Sequence, residues 1–289
     1  MRRKIDGVLL LDKPLELSSN AALQVARRIY GAAKAGHTGT LDPLASGLLP
    51  VCFGEATKYS ARMLDADKTY RAKIRLGVTT TTGDAEGEIL SRCEVNVDAE
   101  RVARVLQSFV GEIDQVPPMH SALKHKGKPL YAYIRSGVEI ERPARRVKIH
   151  RIDLESAGSD ELVISVKCSK GTYVRVLAED IGKALGCGAH LSGLVRTEIG
   201  PFSVADAHTL EELRSREDRE GLLLPCDALL QDFASLRLAE EEAASLSCGR
   251  VLQNFSAAEG VYRIYSGDRF VGLAEVDRIG TLRAKRMMS

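Results

Sequence analysis

The sequence predicts an α+β chain in which helices alternate with the strands of an antiparallel sheet and a small β-rich module follows. Three observations predict it. Tyr70-Arg71-Ala72-Lys73-Ile74-Arg75-Leu76 and Leu162-Val163-Ile164-Ser165-Val166-Lys167 read as half-buried strands, whose alternate side chains face opposite sides of a sheet. Apolar residues at helical spacing, bounded by capping residues, recur between such strands. Beyond Leu224-Pro225-Cys226-Asp227 the texture shifts to short strands broken by glycine, so the expected domains are 1–228 and 229–289.

In chain order, Ser18 or Ser19 caps a helix that runs through Arg27, Arg28 and Tyr30 to Gly31. Asp98 opens a second, with Val102, Val105, Leu106 and Phe109 on one face and Gly111 as its stop. Past Tyr173, the residues Leu177, Ile181 and Leu185 make a helix face that ends at Gly186, which sets Arg175 near a strand-to-helix junction. Thr209 with Glu212 reads as a capping box opening a short acidic helix. The module begins with a helix over about 239–246, then strands around 261–264 and 270–276 separated by Gly267 and Gly272.

With 289 residues, 44% hydrophobic and 28% charged, the chain can bury one substantial core and a small appended domain. No stretch reaches the ~18 apolar residues of a membrane span, and Arg2-Arg3-Lys4 lacks the apolar core of a signal peptide, so a cytoplasmic protein with no membrane partner is expected. Cys52, Cys93, Cys168, Cys187, Cys226 and Cys248 are scattered with no Cys-x-x-Cys pair, the pattern of reduced thiols. Cys187 with His190 is a weak metal hint that reads as structural, so no metal is expected.

A net charge of +2 conceals a local excess. Within 124–151, Lys124, Lys126, Lys128, Arg135, Arg142, Arg145, Arg146, Lys148 and Arg151 are set against only Glu139 and Glu141. Tyr131 and Tyr133 are interleaved with them, which favours an RNA-binding arm over a merely solvated basic hairpin. Acids gather elsewhere, at Glu211, Glu212, Glu217, Asp218 and Glu220, so the fold can present a polarised surface.

The run Gly36-His37-Thr38-Gly39-Thr40-Leu41-Asp42-Pro43-Leu44-Ala45-Ser46-Gly47 holds one carboxylate in a glycine-punctuated loop beside a histidine. Pro43 drives Asp42 toward extended geometry, as suits an acid on display. Asp followed by Pro is equally a good helix start, with Asp as N-cap and Pro at the first helical position.

The stretch 34–58 resembles the aspartate motif of the TruB family of tRNA pseudouridine synthases, with Asp42 where that family keeps its catalytic aspartate. Other segments follow in family order. Gly7-Val8-Leu9-Leu10-Leu11-Asp12-Lys13-Pro14 is similar to the first motif, a strand running into a Lys-Pro turn. Lys68-Thr69-Tyr70-Arg71-Ala72 resembles the segment of the active-site tyrosine, and Thr82-Gly83-Asp84-Ala85-Glu86-Gly87 follows it. Val116-Pro117-Pro118-Met119-His120-Ser121-Ala122 and Lys128-Pro129-Leu130-Tyr131 are similar to the substrate-binding insertion, here about 118–150. Lys170-Gly171-Thr172-Tyr173-Val174-Arg175 and Gly186-Cys187-Gly188-Ala189-His190-Leu191 resemble the segment of the family's arginine. The resemblance covers about 5–228; beyond that, position alone implies a PUA-like RNA-binding domain.

The resemblance implies the pseudouridine synthase catalytic fold, a mixed and mainly antiparallel sheet flanked by helices. It implies isomerisation of uridine at position 55 in the T loop of tRNA, by a monomer needing no protein partner. Asp42, Tyr70 and Arg175 are the implied catalytic residues. Arg175 would hold the Asp42 carboxylate, and Tyr70 would stack on uracil while its phenol helps move the proton off C5 after rejoining. Tyr173 and Leu194 fall where the family places further base contacts, and His37 is suited to fill the space of an extruded base. Lys13, Lys58 and Asp84 would support the loop or contact phosphate. No cofactor is expected: the chain has no Gly-x-Gly-x-x-Gly run and no Walker loop, Gly182-Lys183 being followed by alanine. The alternatives are a guide-RNA-dependent relative acting on ribosomal RNA, a non-catalytic RNA-binding or tRNA-folding protein, and a nucleosidase, which would want a second carboxylate.

Overall fold

The computed structural model describes residues 2–121, 123–134 and 136–289, without the side chain of Tyr131. Ala122 of the insertion motif, Arg135 of the basic arm and the Tyr131 ring therefore lie outside the described residues. In chain order come β1 (Gly7–Lys13), α1 (Ser19–Tyr30), β2 (Ala35–His37), β3 (Ala45–Phe53), α2 (Ala61–Leu64), β4 (Lys68–Leu76), β5 (Val78–Thr80), β6 (Ile89–Arg92) and α3 (Ala99–Ser108). The insertion is bracketed by β7 (Gly111–Gln115) and β10 (Arg145–Ala157), with β8 (Lys124–His125), β9 (Lys128–Pro129) and α4 (Leu130–Ile134) inside it. Then follow β11 (Glu161–Cys168), α5 (Val174–Leu185), β12 (Ala189–Ile199), β13 (Phe202–Ser203), β14 (His208–Thr209) and α6 (Leu210–Ser215). Last come β15 (Ser235–Leu238), α7 (Glu240–Ser247), β16 (Gly260–Ser266), β17 (Arg269–Val276) and β18 (Leu282–Met287).

The chain divides into two compact units, one of Met1–Asp42, Leu49–Leu64 and Asp206–Ser289, the other of Pro43–Leu48 and Asp65–Ala205. In the first, α1 starts where the Ser18 hydroxyl accepts the Ala21 N–H at 3.1 Å and ends where Gly31 turns left-handed at φ 65°. Its Ala22, Leu23, Ala26 and Tyr30 bury one face against Leu9 and Leu11 of β1 and Leu49, Val51 and Phe53 of β3. β1 lies parallel to β14, and β2 antiparallel to β3 with His37 opposite Val51. Residues 235–287 form a sheet of their own, ordered β15-β16-β17-β18, over Leu238, Leu246, Ile264, Val276 and Leu282.

In the second unit the strand order is β3-β12-β4-β11-β10-β7, antiparallel except for β3 with β12. β4 turns Ala72, Ile74 and Leu76 inward and Arg71, Lys73 and Arg75 outward. Leu177, Ile181 and Leu185 of α5 close over that face together with Val102 and Leu106 of α3. Ile181 is fully buried there, and its truncation to alanine costs about 2–5 kcal/mol. This packing anchors the helix whose first turn carries Arg175.

Several sequence expectations need correction. Pro43 and Leu44 form a turn and β3 begins at Ala45, so Asp42 caps no helix. The apolar run that follows is buried almost throughout, which suits an interior strand. Gly47 belongs to β3 and not to a loop; a Cβ there would lie 2.4 Å from the Arg196 carbonyl oxygen, so glycine permits the close pass of β12. α3 ends at Ser108 and Gly111 instead opens β7. Thr209 caps α6 by accepting the Glu212 N–H at 3.1 Å, but the Glu212 carboxylate takes the His208 ring nitrogen at 2.8 Å, leaving the box half formed. Gly272 sits inside β17. No helix among the described residues is long and apolar enough to cross a membrane.

Candidate active site

In the first unit the candidate carboxylate is fixed from behind. The buried Ser19 hydroxyl, at the start of α1, accepts the Leu41 N–H at 2.7 Å and lies 2.9 Å from the Leu41 carbonyl oxygen, to which it donates. Leu41 is itself buried, and the next residue, Asp42, emerges exposed. Upstream, the Thr38 N–H donates to the Pro50 carbonyl at 3.2 Å, and His37, half-buried, accepts the Gly39 N–H at Nδ1 at 3.4 Å. The loop is thus tied at both ends to regular elements.

Lys13 and Lys58 belong to the same unit and brace it. The fully buried Lys13 ammonium donates to the Pro14 and Leu17 carbonyls at 2.8 and 2.6 Å, holding the Lys-Pro turn closed. Lys58 binds Glu55 at 2.7 Å, the Met287 carbonyl at 3.0 Å and the Ser289 hydroxyl at 2.6 Å. Hydrogen bonds from Lys58 and Ser289 draw the Glu55 carboxyl below its usual range, against the effect of burial.

The second unit holds Tyr70, Asp84, Tyr173, Arg175 and Leu194. Arg175 is buried, with Nη1 on Asp84 Oδ2 at 2.8 Å and Nη2 on the His120 carbonyl at 2.8 Å. Asp84 is buried too and also accepts the Thr82 hydroxyl at 2.5 Å and the Glu86 N–H at 3.1 Å. Such a charge-assisted, multiply bonded pair fixes the guanidinium plane. Glu179, one turn beyond Arg175, has its carboxyl pushed upward by burial and by Asp180, with Arg175 opposing. Tyr173 stands at the N-terminus of α5, its N–H on Gln115 Oε1 at 3.0 Å and its carbonyl taking Gln115 Nε2 at 3.3 Å. Leu194 on β12 sits opposite Ala72 of β4 and packs, like Tyr70, against the unit's core.

Sequence reasoning gave no site role to Ser19, Gln115, Lys68 or Arg196. The available signal was a polar residue directly after apolar ones, as in Leu194-Val195-Arg196. Burial pulls Lys68 down to about 8, with the Arg196 charge adding to the effect. His190 shares a hydrogen bond with the Val78 carbonyl at 2.9 Å, and no metal-binding group of His, Cys, Asp and Glu is found among the described residues.

The basic arm keeps Lys124, Lys126 and Lys128 exposed on the β8–β9 hairpin. Tyr133 is engaged within that hairpin, its hydroxyl on the His125 carbonyl at 3.0 Å and its ring under Lys128 Nζ at 4.9 Å. Part of the arm's charge is offset by neighbours the sequence count omitted: Arg146 meets Glu112 and Asp114 of β7 at 3.5 and 3.4 Å, and Arg151 meets Asp153 at 2.7 Å.

Known proteins resemble the chain along its whole length. Residues 27–174 match the family described as "TruB family pseudouridylate synthase (N terminal domain)". Residues 175–231 match "tRNA pseudouridylate synthase B C-terminal domain", and 234–288 match "Pseudouridine synthase II TruB, C-terminal". The tRNA pseudouridine synthase B of Thiobacillus denitrificans is 54% identical over 291 residues, covering 100% of this chain and 97% of that protein. That of Aromatoleum aromaticum is 55% identical over 290 residues, covering 100% and 94%. Among solved structures, a chain of a Cbf5-Nop10-Gar1 complex is similar at TM-score 0.75 and 26% identity, over 98% of this chain and 84% of that one.

Proposed function

The chain belongs to the TruB family of pseudouridylate synthases, and from that premise we propose that it isomerises uridine to pseudouridine at position 55 in the T loop of tRNA, with Asp42 as the working carboxylate. The observation that carries the choice of Asp42 is its mounting: the Ser19 hydroxyl bonded to both backbone groups of Leu41, with the exposed acid directly after it. A nucleophile or base needs a fixed backbone and an accessible head.

The reaction breaks the N-glycosidic bond, turns the uracil and joins C5 to C1′. Nothing is oxidised or reduced, so one carboxylate suffices for a step at C1′, at C6 or on the ribose. Extruding the uridine costs a few kcal/mol, and His37 is suited to stack in the vacated space. Arg175 supplies the cation that keeps the working carboxylate ionised and oriented, and Asp84 holds Arg175. Tyr70, Tyr173 and Leu194 enclose the base. Lys124, Lys126 and Lys128 attract phosphate, with 118–150 as the RNA-binding insertion of a 1–228 catalytic domain and 229–289 as a PUA-like module. We read the protein as acting on tRNA in the cytoplasm as a monomer without a protein partner; the relatives that match it end to end are named as tRNA enzymes.

Incubating the pure protein with unmodified tRNA transcript and mapping pseudouridine tests this. The expected outcome is conversion at position 55 without cofactor, absent in Asp42→Asn. Tight RNA binding without product would favour a binding protein, and release of free uracil would favour a nucleosidase.

A further inference from the structure

Among the described residues, Arg196 is the largest side chain that the fold buries completely, at 1% exposure. Its Nε donates to the Leu48 carbonyl at 2.7 Å, and its guanidinium is hydrogen-bonded to the Tyr70 side chain. Strand register dictates the pairing: Arg196 of β12 stands directly opposite Tyr70 of β4, so both side chains leave the sheet on one face. The close pass at Gly47, itself opposite Arg196, brings the Leu48 carbonyl within reach. Lys68, two residues before Tyr70 on the same face, is a second buried cation, its Nζ on the Ala66 carbonyl at 2.6 Å. From β11, Cys168 faces Lys68 with its thiol pushed up to about 12 by burial, hence uncharged. Asp65 and Asp67 act on Lys68 from the chain just before it. The Tyr70 side chain is therefore paired across the strands with the Arg196 guanidinium, and Lys68 adds a second buried cation to the same face of β4.

Building on the isomerase reading above, we propose that Arg196 is a positioning residue for Tyr70: it aims the phenol oxygen at uracil and holds negative charge there while that oxygen accepts the C5 proton. At that point the C5–C1′ bond has formed and C5 carries both hydrogen and ribose. The C5–H bond breaks and its electron pair becomes the C5–C6 double bond. The former C6–N1 double-bond pair moves onto N1, which takes a proton from water. The C5 proton passes to the phenolate oxygen and from there to solvent. A guanidinium suits this place because it stays charged when buried and donates in a fixed plane without accepting the proton itself.

The test labels tyrosine with carbon-13 at Cζ in the full chain, assigns the Tyr70 signal with Tyr70→Phe, and titrates wild type, Arg196→Lys and Arg196→Met by NMR. Tyr70 is expected to titrate below the ordinary tyrosine value of about 10 in the wild type, and about one unit or more higher in Arg196→Met. Wild-type titration at or above the ordinary value overturns the proposal, and that reading needs no Arg196 variant to fold. In single-turnover assays on tRNA transcript, Arg196→Met lowers the rate about 100-fold at unchanged tRNA affinity, and Arg196→Lys recovers part of it. In a Tyr70→Phe background, Arg196→Lys adds no further loss; equal losses with and without the Tyr70 hydroxyl overturn the proposal. A wild type that makes no pseudouridine defeats the isomerase reading, while the titration still decides the pairing of Arg196 with Tyr70.

Discussion

Asp42 and Asp84 are both carboxylates in glycine-bearing loops, and the fold sets them at different depths. Asp84 is buried, with its oxygens on Arg175, the Thr82 hydroxyl and the Glu86 N–H. Asp42 is exposed, and one residue earlier the Ser19 hydroxyl holds the Leu41 backbone. Fixing a carboxylate through its own oxygens makes it a good brace for a cation, because charge-assisted bonds are strong and directional. Exposure leaves Asp42 accessible from solvent.

The sharpest break in this contrast, after loss of Asp42 itself, comes at Arg175. Its two Nη atoms serve Asp84 and the His120 carbonyl at once, a reach that a lysine ammonium on a flexible stem does not reproduce. Arg175→Lys should lower the single-turnover rate of pseudouridine formation about 100- to 1,000-fold with tRNA affinity unchanged. Asp84→Asn keeps an acceptor and removes a charge, so a milder loss of about 10- to 100-fold is expected in the same assay. Ser19→Ala should destabilise the protein by about 1–3 kcal/mol in chemical denaturation, since it strips partners from buried backbone groups of Leu41. Its rate should fall several-fold as Asp42 loses its fixed mounting.

The smallest effect is one of pH. Lys68 is pulled from 10.5 to about 8 in the folded state, chiefly by burial. Between those values the unfolded chain binds more protons than the folded one, so stability rises with pH through that window, and the burial penalty is fully present below about 8. Wild type should therefore gain stability relative to Lys68→Met as pH is raised from 8 toward 10.5, as measured by urea denaturation at each pH. A gap that stays constant across the window would remove Lys68 from the buried cations.

Elements with strong local signals were legible in the sequence. Ser18 and Gly31 bound α1 as their capping chemistry predicts, and the face of Leu177, Ile181 and Leu185 gave α5 and hence the location of Arg175. The α+β class followed from strand and helix periodicity and the family from motifs in order, and the family models match 27–174, 175–231 and 234–288. β18 escaped because Arg283, Ala284, Lys285 and Arg286 are all exposed, which leaves no period-two apolar signal. The strand after Asp42-Pro43 escaped as a helix start because the local cap signal was stronger than the buried β run behind it. Asp84 drew notice only through its motif, and its bond to Arg175 joins residues 91 positions apart. Arg196 was invisible for the same reason: its partners Leu48 and Tyr70 lie on other strands, and only register brings them together.

The central claim is that Asp42 works on the substrate while Asp84 only holds Arg175. Single-turnover pseudouridine formation on tRNA transcript, with tRNA binding measured in parallel, compares Asp42→Asn and Asp84→Asn directly. The prediction is that both bind tRNA as wild type does, that Asp42→Asn forms no pseudouridine, and that Asp84→Asn converts the transcript slowly but completely. Product from Asp42→Asn at a rate equal to or above that of Asp84→Asn would contradict the account.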